Sequence, residues 1–182
     1  MSQLFGYQGK ILRVDLSRGG SNTEPLAEPL LRKYLGGAAL GIKFIYDEVP
    51  PGVEWSSPEN RLYLGTGPLS GTRIPGSGTI AAVTKGPLTN GLASSQANGF
   101  FGAFLRLSGF DAVILQGQAP KWSYLYIHDG VAELRDASFM MGKNNFEVDS
   151  LLRKELGMGE RDLSILSIGP AGETWSNLLP SL

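Results

Sequence analysis

Short apolar blocks, each ended by glycine or proline, set the rhythm of this chain. Ile11, Leu12, Val14 and Leu16 predict a strand, the Arg18-Gly19-Gly20 step turns it, and a second strand is expected to return. Leu30, Leu31, Tyr34 and Leu35 keep helical spacing behind Pro29, a favoured first-turn residue. Gly36-Gly37 then stops or bends the helix. Leu40, Phe44 and Ile45 predict a second one, ending before Pro50-Pro51. Leu62 to Leu64 reads as a short buried strand and "TIAAVTKGP" as another, while "LTNGLASSQANG" reads as a loop of small residues. A helix is expected from about Gly99 to Leu107, stopped at Gly109, and a buried strand from Ala112 to Leu115.

The second half continues in the same way. Trp122, Tyr124, Tyr126 and His128 alternate with Ser123, Leu125 and Ile127, and Asp129-Gly130 is a type I′ turn signal, so a hairpin is expected. "NNFEVDSLLRKELG" predicts an amphipathic helix with Gly157 just past its end. "DLSILSIGPAGE" predicts a strand running into a further glycine-rich loop. Hairpins are plain and no strict βαβα alternation is present. The expected class is therefore α+β: a β-rich domain of antiparallel hairpins with interspersed helices, one domain over 1–182.

Composition narrows the function. The 182 residues carry a net charge of −1 and no basic patch, which argues against a nucleic-acid partner bound through its phosphates. There is no cysteine and a single histidine, so this chain offers no disulfide, thiolate metal site, iron–sulfur ligand set or His-rich metal site. The apolar runs are far short of a membrane span, no signal-peptide pattern opens the chain, and the cytoplasm is the expected compartment. The 25 glycines are about twice the usual ~7% share, without a repeat, which points to tight turns and close backbone approaches.

Three glycine-rich loops each follow an expected strand: "GPLSGTRIPGSGT" at 67–79, the segment around Asn98-Gly99, and Gly169-Pro170-Ala171-Gly172. Bare backbone N–H groups of this kind can cradle an anion, above all where a helix begins, and Asn98 would be an N-cap for such a helix. Glycine loops serve more often as tight turns, and neither a Walker A nor a G-x-G-x-x-G spacing is present. Arg73 and Lys85 are the best-placed cations, each in or beside a bare loop. His128 sits beside a hairpin turn with no nucleophile motif near it, so a surface position is expected. Asp47-Glu48 is expected to be solvated at a helix end, and Trp122, Tyr124 and Tyr126 to form an amphipathic hairpin rather than a base-stacking platform. These readings alone end at an α+β domain that could bind an anion.

The stretches "GYQGKILRVDLSRG", "YLGGAALGIKFIYDEVPPGVEWSSPENRLYLGTGPLSGT", "AAVTKGPLTNG", "GFFGAFLRLSGFDAVILQGQAPKWSYLYIHDGVAELRDAS" and "ILSIGPAGE" resemble, in one register from about residue 5 to 174, the N-terminal domain of the tungsten-containing aldehyde ferredoxin oxidoreductase family. Beyond them, "TWSNLLPSL" drifts from the pattern.

The resemblance implies an α+β base that supports a tungsten (or molybdenum) bis-pterin cofactor, with magnesium bridging the pterin phosphates. It implies that Gly76, Ser77, Gly78 and Thr79, with Arg73 nearby, and Gln96, Asn98 and Gly99 face that cofactor, the backbone of Gln96 serving the magnesium. Three positions depart from the family's pattern. Thr79 stands where a basic residue is usual, Gln96 where asparagine is common, and Asn98 where a pterin-contacting glycine is found. The family oxidises aldehydes to carboxylic acids and passes electrons through a 4Fe–4S cluster to ferredoxin. Its cluster cysteines and active-site acid and base lie in a part that this sequence does not contain.

The expectation is therefore a pterin-supporting part that completes its site with further domains or a partner subunit and is not active alone. A non-catalytic scaffold or degenerate cofactor-binding module is the alternative, and a general phosphate- or nucleotide-binding domain with an anion at the Asn98 helix start is a third. Self-association is expected, since an isolated domain of this kind would expose the face that meets cofactor and neighbours.

Overall fold

A computed structural model describes residues 5–174, so the tail 175–182 lies outside the described residues. Strands β1 (Lys10–Asp15) and β2 (Gly20–Pro25) form the expected hairpin, and helices α1 (Glu28–Tyr34) and α2 (Gly37–Glu48) follow, joined through Leu35 and Gly36. Then come β3 (Arg61–Gly65), β4 (Ile80–Lys85), β5 (Leu92–Ala97), α3 (Phe101–Leu107), β6 (Ala112–Gln116), β7 (Ser123–His128), β8 (Val131–Asp136), α4 (Asn145–Leu156) and α5 (Gly169–Glu173).

The main sheet has six strands in the order β2-β1-β6-β3-β4-β5. Among the described residues only the β1–β6 pair is parallel; the other neighbours are antiparallel. β7 and β8 form a separate hairpin whose turn residues Asp129 and Gly130 both have positive φ (46° and 79°), as a type I′ turn requires. The class is α+β.

One face of the sheet buries Ile11, Tyr63, Val83, Ala112 and Ile114 against Leu31 of α1 and Leu40 and Ile45 of α2. The other buries Leu12, Val14, Ile80 and Val113 against Leu105 and Phe110, with the β7–β8 hairpin packed alongside. Alternation along each strand sorts neighbours to opposite faces, and each large apolar side chain so buried stabilises by about 1.5–3 kcal/mol. α4 rests on a smaller cluster of Ala137, Met140, Val148 and Leu152. It begins with a reciprocal cap: Asn144 Oδ1 accepts from the Glu147 N–H (3.0 Å), and Glu147 Oε2 accepts from the Asn144 N–H (2.8 Å). Gly157, at φ 66°, ends it.

The structure corrects several expectations. Residues 92–97 form strand β5 rather than a loop, because six residue pairs with β4 outweigh the weak strand preference of alanine and serine. Residues 163–168 are not a strand, and Gly169–Glu173 is a short helix rather than a loop. α3 starts at Phe101 with Phe100 at the cap position and no side-chain cap, so Asn98 does not cap it. Glu48 is not simply solvated. It takes Arg13 in a two-pronged pair (2.6 and 2.8 Å) while Arg13 also holds Glu24 (2.6 Å), and these carboxylates hold the guanidinium pKa above its ordinary value.

Candidate functional site

Three segments converge at one end of the sheet, where β3 and β5 finish and β4 begins. The first is the α1–α2 junction. Leu35, Gly36 and Gly37 all have positive φ (61°, 146° and 52°), and a Cβ on Gly36 would lie 2.6 Å from Thr66 O. Only glycine lets the junction lie this close to the end of β3. The Gly37 N–H donates to that same Thr66 O (3.0 Å), and α2 starts without a side-chain cap.

The second segment is the loop from Gly65 to Thr79. Its hydroxyls bind the loop to itself. Ser70 Oγ donates to Ser77 O (2.8 Å), Ser77 Oγ to Thr72 O (2.7 Å), and Thr66 Oγ1 to Thr79 O (3.3 Å). Arg106 of α3 ties the loop down through Pro68 O (2.8 Å). Buried Asp111 fixes its start: the Thr66 N–H donates to Asp111 O (3.0 Å), while the Asp111 carboxylate accepts the N–H groups of Gln8 (3.0 Å) and Gly9 (2.7 Å). Burial holds that carboxyl above its ordinary pKa.

The third segment is Gln96 to Phe100. It leans directly on the second. Thr79 Oγ1 hydrogen-bonds Asn98 Oδ1 (3.1 Å), the Gly102 N–H donates to Gly78 O (3.0 Å), and a Cβ on Gly78 would fall 2.8 Å from Gly99 C and closer still to Gly99 O.

Between these segments lies a cavity of about 170 Å³, lined by Gly37, Gly65, Thr66, Gly67, Ser70, Gly76, Ser77, Thr79, Ala81 and Gln96. Gly76, Ser77, Thr79 and Gln96 of the sequence-predicted set are thus brought together. Asn98, Gly78 and Gly99 sit behind them as the joint between loops, and Arg73 is exposed and outside the lining. Lys85 is elsewhere: its ammonium group donates to Val53 O. His128 lies on the hairpin near Glu133 (3.5 Å) and Asp129 (3.6 Å). The reading from sequence missed Gly37, Gly65, Thr66 and Ala81, and reached Gly67 and Ser70 only as part of the loop at 67–79. The double glycine at 36–37 is the available signal, since it both breaks the helix and strips the backbone of side chains.

The lining holds no charged side chain. The hydroxyl protons of Thr66, Ser70, Ser77 and Thr79 and the N–H groups of Gly37, Thr66, Ser70, Ser77 and Thr79 are all given to protein oxygens, so the polar groups that line the space are mainly acceptors. An uncharged, acceptor-rich lining suits a flat ring that carries N–H donors, and a bare backbone admits it closely. Beneath the floor, Tyr63 is wholly buried. Its ring fills the space that Cβ atoms on Gly41 and Gly65 would occupy, and its hydroxyl has no hydrogen-bond partner.

A second, wider cavity of about 340 Å³ lies between the β1–β2 turn, the β6–β7 link and β8, and holds none of the sequence-predicted site residues. Among the described residues no cluster of three or more His, Cys, Asp or Glu side chains is placed to hold a metal, and no helix is long and apolar enough to cross a membrane.

The family model "Aldehyde ferredoxin oxidoreductase, N-terminal domain" matches residues 11–178. The chain belongs to this family. The tungsten-containing aldehyde ferredoxin oxidoreductase of Pyrococcus abyssi is 45% identical over 170 residues, which are 93% of this chain and 28% of that protein. The aliphatic sulfonate oxidoreductase, WOR-like subunit, of Pyrococcus furiosus is 35% identical over 158 residues, 84% of this chain and 25% of that one. Among solved structures, the active-site complex BamBC of benzoyl coenzyme A reductase superposes with a TM-score of 0.83 at 35% identity, covering 86% of this chain and 24% of that one. The chain thus spans about a quarter of the length of the relatives it matches. The site segments fall inside the matched residues.

Proposed function

We propose that this chain is the pterin-supporting domain of a tungsten (or molybdenum) oxidoreductase of aldehyde ferredoxin oxidoreductase type. The residues that line its cavity would hold part of that cofactor. The observation that carries this reading is the three-segment cavity, glycine-lined and uncharged, within a chain that matches the family's N-terminal domain almost end to end. When bound, the cofactor supplies the two-electron centre at which aldehydes are oxidised to carboxylic acids, with electrons leaving through a 4Fe–4S cluster in further domains or a partner subunit to ferredoxin.

This chain's own residues bind and orient. Gly37, Gly67 and Gly76 let a ring approach the backbone. Thr66, Ser70, Ser77 and Thr79 would offer oxygen lone pairs to ring N–H groups, and the backbone of Gln96 would serve the magnesium. Asn98, Gly78 and Gly99 hold the two loops together behind the cavity. Arg73 stands outside the lining, as a charge on the loop that the phosphates could meet. The domain is expected to work in the cytoplasm.

The uncharged lining, with Thr79 where the family usually has a basic residue, favours one alternative: a non-catalytic scaffold of the same fold. Metal and pterin analysis of anaerobically purified chain, alone and with the complementing domains, separates the two. Tungsten or molybdenum with pterin in either sample supports the proposed function. Pterin-free protein in both, beside a relative that loads normally, leaves the scaffold. The reading of a general phosphate binder at the Asn98 helix start loses its basis, because Asn98 does not cap α3 and the Gly102 N–H there is already given to Gly78 O.

A further inference from the structure

The turn that joins α1 to α2 is strained at a residue other than glycine. Leu35 has φ 61° and ψ −50°, and the Gly36 N–H donates across it to Tyr34 O (2.7 Å). This is a γ-turn of the rare kind, with ideal angles of about +75° and −65°, which a residue with a Cβ enters only under restraint. The Leu35 side chain is exposed, so its packing does not supply that restraint. A hydrogen bond from the N-terminal segment does: the Tyr7 hydroxyl donates to Leu35 O (2.7 Å). Tyr7 is itself fixed. Its side chain packs against the cluster that holds Leu31, Leu40 and Tyr63. The next two residues, Gln8 and Gly9, give their N–H groups to the buried Asp111 carboxylate (3.0 and 2.7 Å). The Thr66 N–H donates to Asp111 O (3.0 Å), and Thr66 O accepts the N–H of Gly37 (3.0 Å), two residues after Leu35. The bonds close a circuit from Tyr7 through Leu35, Gly37, Thr66 and Asp111 back to Gly9, and two of its members, Gly37 and Thr66, line the cavity.

We propose that Tyr7 is a positioning residue for the cavity: its hydroxyl holds the strained Leu35 turn, and the turn sets Gly37 against Thr66 on the cavity wall. Tyr7 is not among the lining residues and acts only through this turn. Without the hydroxyl, Leu35 relaxes toward negative φ, the ordinary region for a residue with a Cβ, and Gly36 and Gly37 swing away from Thr66 O. That the wall so held belongs to a cofactor cradle rests on the function proposed above; the circuit itself does not.

The test compares Tyr7→Phe, which keeps the ring and loses the hydroxyl, with Tyr124→Phe, which loses a hydroxyl bonded to Glu155 (3.2 Å) away from the cavity. The protein is taken with its complementing domains. Amide exchange is read residue by residue, beside the rate at which metal and pterin leave on dilution. Tyr7→Phe should speed exchange at Gly36 and Gly37 by about 2- to 10-fold, the span that one hydrogen bond is worth, and should speed cofactor loss with it. Exchange in α4 and the β7–β8 hairpin should stay as in the wild type, and Tyr124→Phe should leave Gly36 and Gly37 unchanged. Leu35→Gly removes the strain, because glycine takes positive φ freely, so in that background Tyr7→Phe should change far less. Unchanged exchange at Gly36 and Gly37 in Tyr7→Phe overturns the proposal. So does an effect of equal size in the Leu35→Gly background, or faster exchange without faster cofactor loss. Wild-type protein without cofactor would overturn the proposed function instead, and the exchange results would still decide the role of Tyr7.

Discussion

Replacing Gly78 by alanine tests how tightly the two cavity loops are joined. The backbone of Gly78 has no positive φ, so its need for glycine is purely steric. An added Cβ would stand 2.8 Å from Gly99 C and 3.0 Å from Phe100 Cα, with Gly99 O nearer still. All three are backbone atoms, so no rotamer change relieves the contact. The Gly102 N–H bond to Gly78 O (3.0 Å), which sets the first turn of α3, runs through the same joint. Overpacking costs about 1–3 kcal/mol and a lost hydrogen bond about 0.5–1.5 kcal/mol, so Gly78→Ala is expected to destabilise by about 2–4 kcal/mol. In a chain of this size each kcal/mol lowers the melting temperature by about 2–4 °C. Gly67→Ala is the control, since a Cβ there meets nothing within 4 Å and the change should stay within about 0.5 kcal/mol. Thermal unfolding followed by circular dichroism compares the two. Equal stability of Gly78→Ala and Gly67→Ala would refute the joint.

Tyr63→Phe removes a buried hydroxyl without a partner and keeps the ring that fills the space beside Gly41 and Gly65, so urea unfolding should show a gain of about 1 kcal/mol; a loss of that size would mean the hydroxyl is bonded. Asp111 has a raised folded pKa, so its titration contributes stability that is complete below its unfolded value of about 3.9 and is lost as pH rises through the folded value. Asp111→Asn should remove that part of the pH dependence measured by urea unfolding across the acid range, and identical profiles would contradict the assignment. Asn144→Ala breaks the reciprocal cap of α4 and should cost about 0.5–2 kcal/mol, with faster amide exchange at Phe146 and Glu147; an unchanged exchange rate at both would show that the cap is not formed.

Much of the fold was legible because its local signals agree. The β1–β2 and β7–β8 hairpins carry glycine turns between alternating strands, and α4 carries both its caps in sequence. β5 was not legible. Leu92-Ala93-Ser94-Ser95-Gln96-Ala97 has no strand signature of its own and is a strand because β4 lies beside it. Residues 163–168 erred in the other direction, since an apolar alternation without a pairing partner forms no strand. At the site, the glycines of 67–79 announced a bare loop, but the cavity also needs Gly37, which the α1–α2 junction brings to that loop through space and not through sequence. Side-chain contacts that decide the roles of Asn98 and Lys85 were likewise invisible along one dimension.

The most direct test of the account is amide hydrogen exchange on the chain in its cofactor-loaded and cofactor-free forms. The account predicts slowed exchange in three separate stretches, residues 36–40, 65–79 and 96–100, with the β7–β8 hairpin unchanged. Protection confined to one of these stretches, or appearing instead around Arg18, Lys121 and Arg135, would contradict a cofactor cradle built where β3 and β5 end.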